Sequence, residues 1–457
     1  MDGQANITEF TDGTEKANEP ETVRLKHLAR INPTKSELSD LDPKTDVSFV
    51  PLEDFGTDGE IKDTETRPLE EVYDGYTYFR EGDIAIAKIT PSFENGKGAI
   101  CRGLENGIGF GTTELHILRP RKGVNTEFLW YVLRSKPFMD EAETAMRGVA
   151  GQQRVPTEFI EEFRVDLPRY EIQTEMSNYL SSSINNLRAA SDKLGELREY
   201  LSSKRNAEIT NLITGRRSDG TRELAQKETP LIGVESIPEH WETARIGWLI
   251  SSLQNGWSPN ASSRPAEDDE YGVLKLSAVS KGEFRPGKNK ALSPSSEVPS
   301  ESIVSPDQVL VTRANTPELV ADACTVDQHS RRLIAPDLMF IINVDAEQLD
   351  PRYLSEWLVT GPARSQIRMD AHGSSGSMVK VSQQNLKDWK MPLPPKDEQE
   401  QILEKVDQLR DKSAALSNRI SEITDLLEEK RQALVTAAVT SQIDVPEVES
   451  EAKTSLQ

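Results

Sequence analysis

Apolar residues along this chain follow two different periods, and the periods alternate. Short runs such as VLKLSAV (273–279) and FIINV (340–344) alternate apolar and polar positions and stop at Gly, Pro, Asn or Asp, as strands bounded by turns do. Two longer stretches carry apolar residues three and four apart. Val406, Leu409, Leu416, Ile420, Ile423 and Leu427 mark one, interrupted by Ser413, and Leu180, Leu187, Ala190, Leu194, Leu197 and Leu201 mark the other. That heptad predicts two long helices with a coiled-coil seam, each opening just after a proline, Pro168 or Pro394-Pro395, which a helix accepts only at its start. About forty residues give a rod of roughly 60 Å. Neither rod can bury its own stripe, so the two are expected to pack on each other.

The rods are copies. SSKRNAEITNLITGRRSD (202–219) is echoed by EEKRQALVTAAVTSQID (428–444), and an offset of 226 residues carries Lys204 onto Lys430 and DLPRYEIQ (166–173) onto PLPPKDEQ (392–399). A register shared over about fifty residues marks an internal repeat. The blocks before the rods echo each other more weakly. ETVRLKHLARIN (21–32) parallels ETARIGWLISSL (242–253), REGDIAIAKIT (80–90) parallels SPDQVLVTRAN (305–315), and NTEFLWYVLRSKPF (125–138) parallels DPRYLSEWLVTGPA (350–363). Each block reads as a mixed globule of strands with one amphipathic helix late in it. The fold class expected is therefore α+β with a pseudo-two-fold repeat. In order it has an acidic segment (1–20), a globule (21–166), a rod (167–215), a linker (216–236), a globule (237–392), a rod (393–441) and an acidic segment (442–457). Domain termini usually lie close together, which favours an antiparallel coiled coil with the globules at opposite ends. The linker is long enough to leave a parallel pair open.

Composition narrows the function. There are 76 Asp and Glu against 54 Lys and Arg, a net charge of -22, which argues against a nucleic-acid partner because phosphate binding needs clustered cations. Part of the excess lies in the two terminal segments, and the rest is spread as on a surface adapted to high salt, so one face is free to be locally basic. No apolar run approaches the roughly 18 residues of a membrane span, and the amino end is polar, so a cytoplasmic protein is expected. Cys101 and Cys324 can form neither a disulfide framework nor a four-cysteine metal site. His27, His116, His240, His329 and His372 show no ligand spacing. GIGFG (107–111) matches no nucleotide-binding fingerprint and reads as a turn; Asp83 with Lys88 lacks the further carboxylates of a nuclease and reads as a turn at a strand entrance. No catalytic residue, metal or cofactor is expected. Two related globules on a spacer suggest a binder with two sites.

LPRYEIQTEMSNYL with its heptads and KRNAEITNLITG, then LPPKDEQEQILEKV with EEKRQALVTAAVT, resemble the helical spacers of the specificity (S) subunit of type I restriction-modification enzymes. IPEHWETARIG (237–247) resembles the opening of a target-recognition domain of that family, as do GYTYFREGDIAIAKITPSFENGKGA and GIGFGTTELHILRP. The resemblance spans about nine-tenths of the chain. It implies that each globule reads half of a bipartite, asymmetric site in double-stranded DNA and that the antiparallel helices set the spacing. Half-sites one turn apart lie about 34 to 36 Å apart, within reach of such a rod. It further implies two methyltransferase (M) subunits docked on the spacers and motor and nuclease (R) subunits joined through them. S-adenosylmethionine, ATP and magnesium then belong to those partners, and no membrane is involved. For DNA contact the loop GVAGQQRVP offers Gln152, Gln153 and Arg154, joined by Lys88 and Thr90. The counterpart HGSSGSMVKVS offers Ser374, Ser375 and Lys380, beside Arg313 and Asn315. The bland reading is an ordinary glycine-rich loop. The pairs Lys204 with Arg205 and Lys430 with Arg431 read as solvated charges near helix ends, more suited to partner docking than to base reading. Two rival functions are a coiled-coil adaptor with protein-binding globules, which the net charge favours, and a fused methyltransferase-nuclease, which the missing nucleotide motifs disfavour.

Overall fold

The computed structural model describes residues 21–149, 151–216, 225–293, 297–327, 332–375 and 378–440, with main chain alone for 372–375. The acidic segments 1–20 and 442–457 and His329 lie outside the described residues. The chain divides into two units, Met1–Leu194 with Ser421–Gln457, and Gly195–Ile420.

The first unit is built on a four-stranded antiparallel sheet in the order Ala29–Ile31, Leu115–Pro120, Ile84–Ala87, Gly98–Ile100. A second sheet, ordered Glu65–Pro68, Asp46–Val50, Ile108–Gly111, Thr77–Arg80, includes one parallel pair. GIGFG, expected as a turn, supplies a buried strand of that sheet instead. The turn is confined to Asn106 and Gly107, both at positive φ, and a Cβ on Gly109 would stand 2.1 Å from the Phe79 ring. These glycines make room for an aromatic side chain, a demand that the sequence pattern does not display.

The second unit repeats the first sheet strand for strand, as Ile250–Asn255, Met339–Val344, Val309–Thr312, Ala323–Thr325. The entrance pairing is repeated too: Glu21–Arg24 lies against Arg164–Leu167, and Glu242–Arg245 against Lys390–Leu393. Beyond this frame the copies part. The second unit carries a three-stranded sheet of Asn289–Ala291, Tyr271–Leu274 and Arg332–Ile334 in place of the first unit's second sheet.

Two helices of 44 residues, Tyr170–Ile213 and Lys396–Val439, each contribute to both units. In the first unit Met176 and Leu180 share a core with Val435, Ala438 and Val439; in the second, Ile209 and Ile213 share one with Ile402, Leu403 and Val406. Within each unit the helices are therefore antiparallel, as expected. The first helix stops at Gly215, where φ is +74°, Arg216 N–H bonds the Asn211 carbonyl at 2.7 Å, and any Cβ would collide with Pro238. The middle of the heptad is less enclosed than its pattern suggests: Leu197 and Leu416 in the second unit and Ile423 in the first are 44%, 49% and 38% exposed. Two helices side by side cover only one flank of such a residue.

One buried side chain joins each globule to its helix. Gln173, 1% exposed, accepts from Asn125 N–H at 2.8 Å and donates to the carbonyls of Pro168 and Gly123 at 2.8 and 3.3 Å. Gln399, 0% exposed, accepts from Asp350 N–H at 2.8 Å and donates to those of Gln348 and Pro394, both at 2.9 Å. Asn125 and Asp350 are the N-caps of the equivalent helices Thr126–Val132 and Pro351–Leu358. Each amide thus ties the first turn of a long helix to the start of a globule helix.

A second equivalence keeps its geometry and changes its chemistry. Buried Asp83 accepts from Arg80 N–H at 2.9 Å and holds the buried Arg119 guanidinium through two bonds of 2.7 and 2.8 Å. At the same places Gln308 accepts from Ser305 N–H at 2.9 Å and reaches Asn343 at 3.3 Å, a neutral pair. The Asp83 site is structural, in agreement with its reading as a turn. Arg119 also holds Glu37 at 2.5 Å; burial works against that carboxylate's charge, but the Arg119 bond and the charges of Arg119, Arg80 and Arg30 keep its pKa below the usual range.

Two outcomes follow for stability. Gln399→Ala strands one buried N–H and two carbonyls, and urea unfolding should show a loss of about 2–3 kcal/mol; a loss near zero would show that water replaces the amide. Asp83→Gln alone leaves a buried guanidinium short of its partner and should cost roughly 3–5 kcal/mol, whereas Asp83→Gln with Arg119→Asn, which installs the other copy's pair, should recover most of that loss.

Candidate nucleic-acid interface

The residues singled out in the sequence come together in each unit, on a short ribbon of three strands in the second and on three segments joined by single bridges in the first. In the second unit Ala314–Asn315 pairs with Met378–Lys380, which pairs with His372–Ser375. Ala314 lies opposite Lys380, and Lys380 opposite His372. In the first unit Ile89 lies opposite Arg154, and Arg154 opposite Arg147. The two arrangements are the same ribbon at repeat-equivalent places. The anchoring bonds agree as well. Val155 N–H donates to the Lys88 carbonyl at 2.9 Å and Val381 N–H to that of Arg313 at 3.0 Å, while Lys88 N–H meets the Glu114 carbonyl at 3.0 Å and Arg313 N–H that of Leu338 at 2.7 Å.

On the first ribbon Lys88 is half-buried, Gln152 and Arg154 are exposed, and Gln153 is half-buried. Thr90 faces inward: it is 9% exposed, its hydroxyl accepts from Gln153 N–H at 3.1 Å, and its N–H donates to the Gln153 carbonyl at 2.9 Å. Its role here is to hold the hairpin. The tip carries Val149, 76% exposed, between Gly148 and Gly151 at positive φ. On the second ribbon Arg313 and Asn315 are half-buried and Lys380 is exposed; the Asn315 side chain accepts from Thr316 N–H at 2.9 Å. Ser374 and Ser375 lie on its outer strand, and their side chains fall outside the described residues.

Electrostatically the ribbons differ. Glu114 grips Arg154 through two bonds of 2.8 Å. That hydrogen bond, with the charges of Arg154 and Lys88, holds the Glu114 carboxyl below its usual range. The first ribbon therefore presents acceptors beside its cations. Glu114 escaped the sequence reading because only strand pairing brings it to Arg154. Arg147 had a signal, since two arginines flank the glycine-rich stretch RGVAGQQR symmetrically. His116, beneath this ribbon, is 3% exposed and bonds the Val155 carbonyl at 2.9 Å.

Outside the ribbons, each long helix turns an apolar pair to solvent. Leu197 and Tyr200 are 44% and 62% exposed, and at an offset of 226 Ile423 and Leu426 are 38% and 61% exposed. Among the described residues no group of His, Cys, Asp and Glu is arranged to hold a metal ion, and no helix is long and apolar enough to cross a membrane.

Comparison with known proteins agrees with this architecture. Residues 334–425 match the family model described as the type I restriction modification DNA specificity domain. The chain is 30% identical over 449 residues to the type I restriction enzyme EcoEI specificity subunit of Escherichia coli, covering 82% of this chain and 75% of that protein. It is 44% identical over 156 residues to the EcoAI specificity subunit of the same organism, a match that spans 34% of this chain and 26% of that one. Its fold is shared with a chain from a structure of complex assembly and conformational transition in the type I R-M system, at a TM-score of 0.66 and 17% identity, covering 92% of this chain and 97% of that chain. With a repeated frame, paired ribbons and a relative matched over most of its length, this chain belongs to the type I restriction enzyme specificity subunit family.

Proposed function

We propose that this chain reads a bipartite, asymmetric site in double-stranded DNA, one half through each ribbon, and that it does so without catalysis of its own. On this reading 21–166 and 237–392 are the target-recognition domains, and 167–215 and 393–441 are spacers that set the distance between half-sites. The observation that carries it is the pair of equivalent ribbons bearing different side chains, Lys88, Gln152 and Arg154 on one and Arg313, Asn315 and Lys380 on the other. The outer hairpin of each ribbon, Arg147 with Arg154 in one and His372–Ser375 with Met378–Lys380 in the other, is two strands wide, as the major groove admits, and Arg, Lys, Gln and Asn are the side chains that pair with base edges there. Equal frames with unequal readers suit an asymmetric site. The acidic total charge is compatible with this reading because each ribbon carries cations among its readers, Lys88 and Arg154, the latter paired with Glu114, on one and Arg313 and Lys380 on the other.

The exposed apolar pairs at Leu197 with Tyr200 and Ile423 with Leu426 support docking of two methyltransferase (M) subunits, one against each long helix. Motor and nuclease (R) subunits join through that assembly, in the cytoplasm. S-adenosylmethionine, ATP and magnesium are bound by those partners.

In the complex with methyltransferase subunits, Lys88→Ala and Arg313→Ala should each weaken binding to the specific duplex roughly tenfold, read by fluorescence anisotropy across a salt series. If the unaltered complex binds its own site no better than random duplex, the chain is an adaptor of proteins and not a DNA reader. Native mass spectrometry tests the docking surface: Tyr200→Asp or Leu426→Asp alone should leave one methyltransferase subunit bound, and both together should leave none.

A further inference from the structure

The first ribbon rests on a hydrogen-bonded relay that the second lacks. His116 lies on Leu115–Pro120, opposite Ile86, and is 3% exposed. Asn32, with φ at +47°, accepts from Ile117 N–H through Oδ1 at 2.9 Å and donates its own N–H to the Ile117 carbonyl at 2.7 Å. Its Oδ1 being engaged, the group it turns toward His116 Nδ1, at 3.4 Å, is its amide NH2. Nδ1 must then accept, so the ring proton is on Nε2, which donates to the Val155 carbonyl at 2.9 Å. Val155 N–H in turn holds the Lys88 carbonyl, and Lys88 and Arg154 flank that junction on the ribbon. A second ring proton would point N–H at N–H and break the relay at Asn32. In the other copy the place of His116, opposite Val311, is taken by Phe340, which has no ring nitrogen to offer.

We propose that neutral His116 is a positioning residue that holds the reading edge of the first ribbon, so that acid weakens recognition of one half-site and spares the other. This rests on the DNA-reading function proposed above. The charged groups that face the ring are Lys88, which opposes its protonation, and Glu114 and Glu158, which favour it; burial is the largest influence, and the imidazole titrates below its ordinary value. The sign follows from that direction. With the folded value below the unfolded one near 6.5, His116 is still neutral in the folded protein at about pH 6.5, and its support is lost only as pH falls through the lowered folded value.

The test uses the complex with methyltransferase subunits and three duplexes: the intact site, the site with its first half substituted, and the site with its second half substituted. Discrimination is the ratio of affinities for the intact and each substituted duplex, followed from near pH 7.5 down to the lowest pH at which the complex stays folded. Discrimination at one half should fall by about fivefold or more in acid, the worth of roughly one hydrogen bond, while the other half changes less than about twofold. His116→Gln keeps an N–H for the Val155 carbonyl and does not titrate, so it should keep its discrimination at both ends of the range. His116→Phe should show the reduced ratio already at pH 7.5. The proposal is overturned if both halves decline together, if His116→Gln loses discrimination in acid as the unaltered chain does, or if a folded His116→Phe discriminates fully. Absence of discrimination by the unaltered complex at pH 7.5 would overturn the DNA-reading function itself, and this proposal with it.

Discussion

Two buried glutamine amides fix how each globule sits on the start of its long helix. A primary amide has two N–H donors and an acceptor oxygen, and at Gln173 and Gln399 both donors and the oxygen are engaged by main-chain groups. The polar atoms sit away from water, where an incomplete set is expensive, so the arrangement favours one orientation of globule against helix over its neighbours. The coiled-coil seam alone is less selective. Its middle positions are open to solvent, and apolar contact resists sliding only weakly compared with a set of directed bonds.

The frame set by these joints is filled differently in the two copies. Asp83 with Arg119 and Gln308 with Asn343 occupy one position as ions and as neutral amides, and His116 faces Phe340 across the repeat. At the contact of globule and helix in the second unit, buried Glu356 meets Arg410 at 2.5 and 3.0 Å, with burial pushing that carboxyl above its usual range in spite of the arginine. At the matching place in the first unit stands Tyr131, raised by burial and hydrogen-bonded to Ser181. Pairs of positions change together, so each copy remains internally satisfied while departing from the other.

Much of the frame was legible because it depends on periodicity and repetition. The two helices follow from heptads and an offset of 226, the globule segments correspond at slightly different offsets, and the antiparallel sense was favoured by domain termini that lie close together, with a parallel pair left open. The equivalence of Lys88 with Arg313 and of Arg154 with Lys380 was visible as parallel segments, and strand pairing places them on matching ribbons. What escaped depends on contacts between strands distant in sequence. Glu114 acquires its meaning only beside Arg154, and the inward turn of Thr90 only beside Gln153. GIGFG was misread because a glycine beneath an aromatic ring and a glycine in a turn look alike along one chain.

The glutamine joints also bear on how such a molecule changes over generations. Every bond that Gln173 and Gln399 make ends on a peptide N–H or carbonyl, never on a side chain of the globule. The socket is therefore blind to the sequence it receives. A globule with a new ribbon, or a new sheet behind it, can be seated on an old helix so long as its helix start keeps the same backbone path. At these two joints the helix reads only the main chain of the globule, whereas Arg410 with Glu356 and Ser181 with Tyr131 are side-chain contacts that must change along with it.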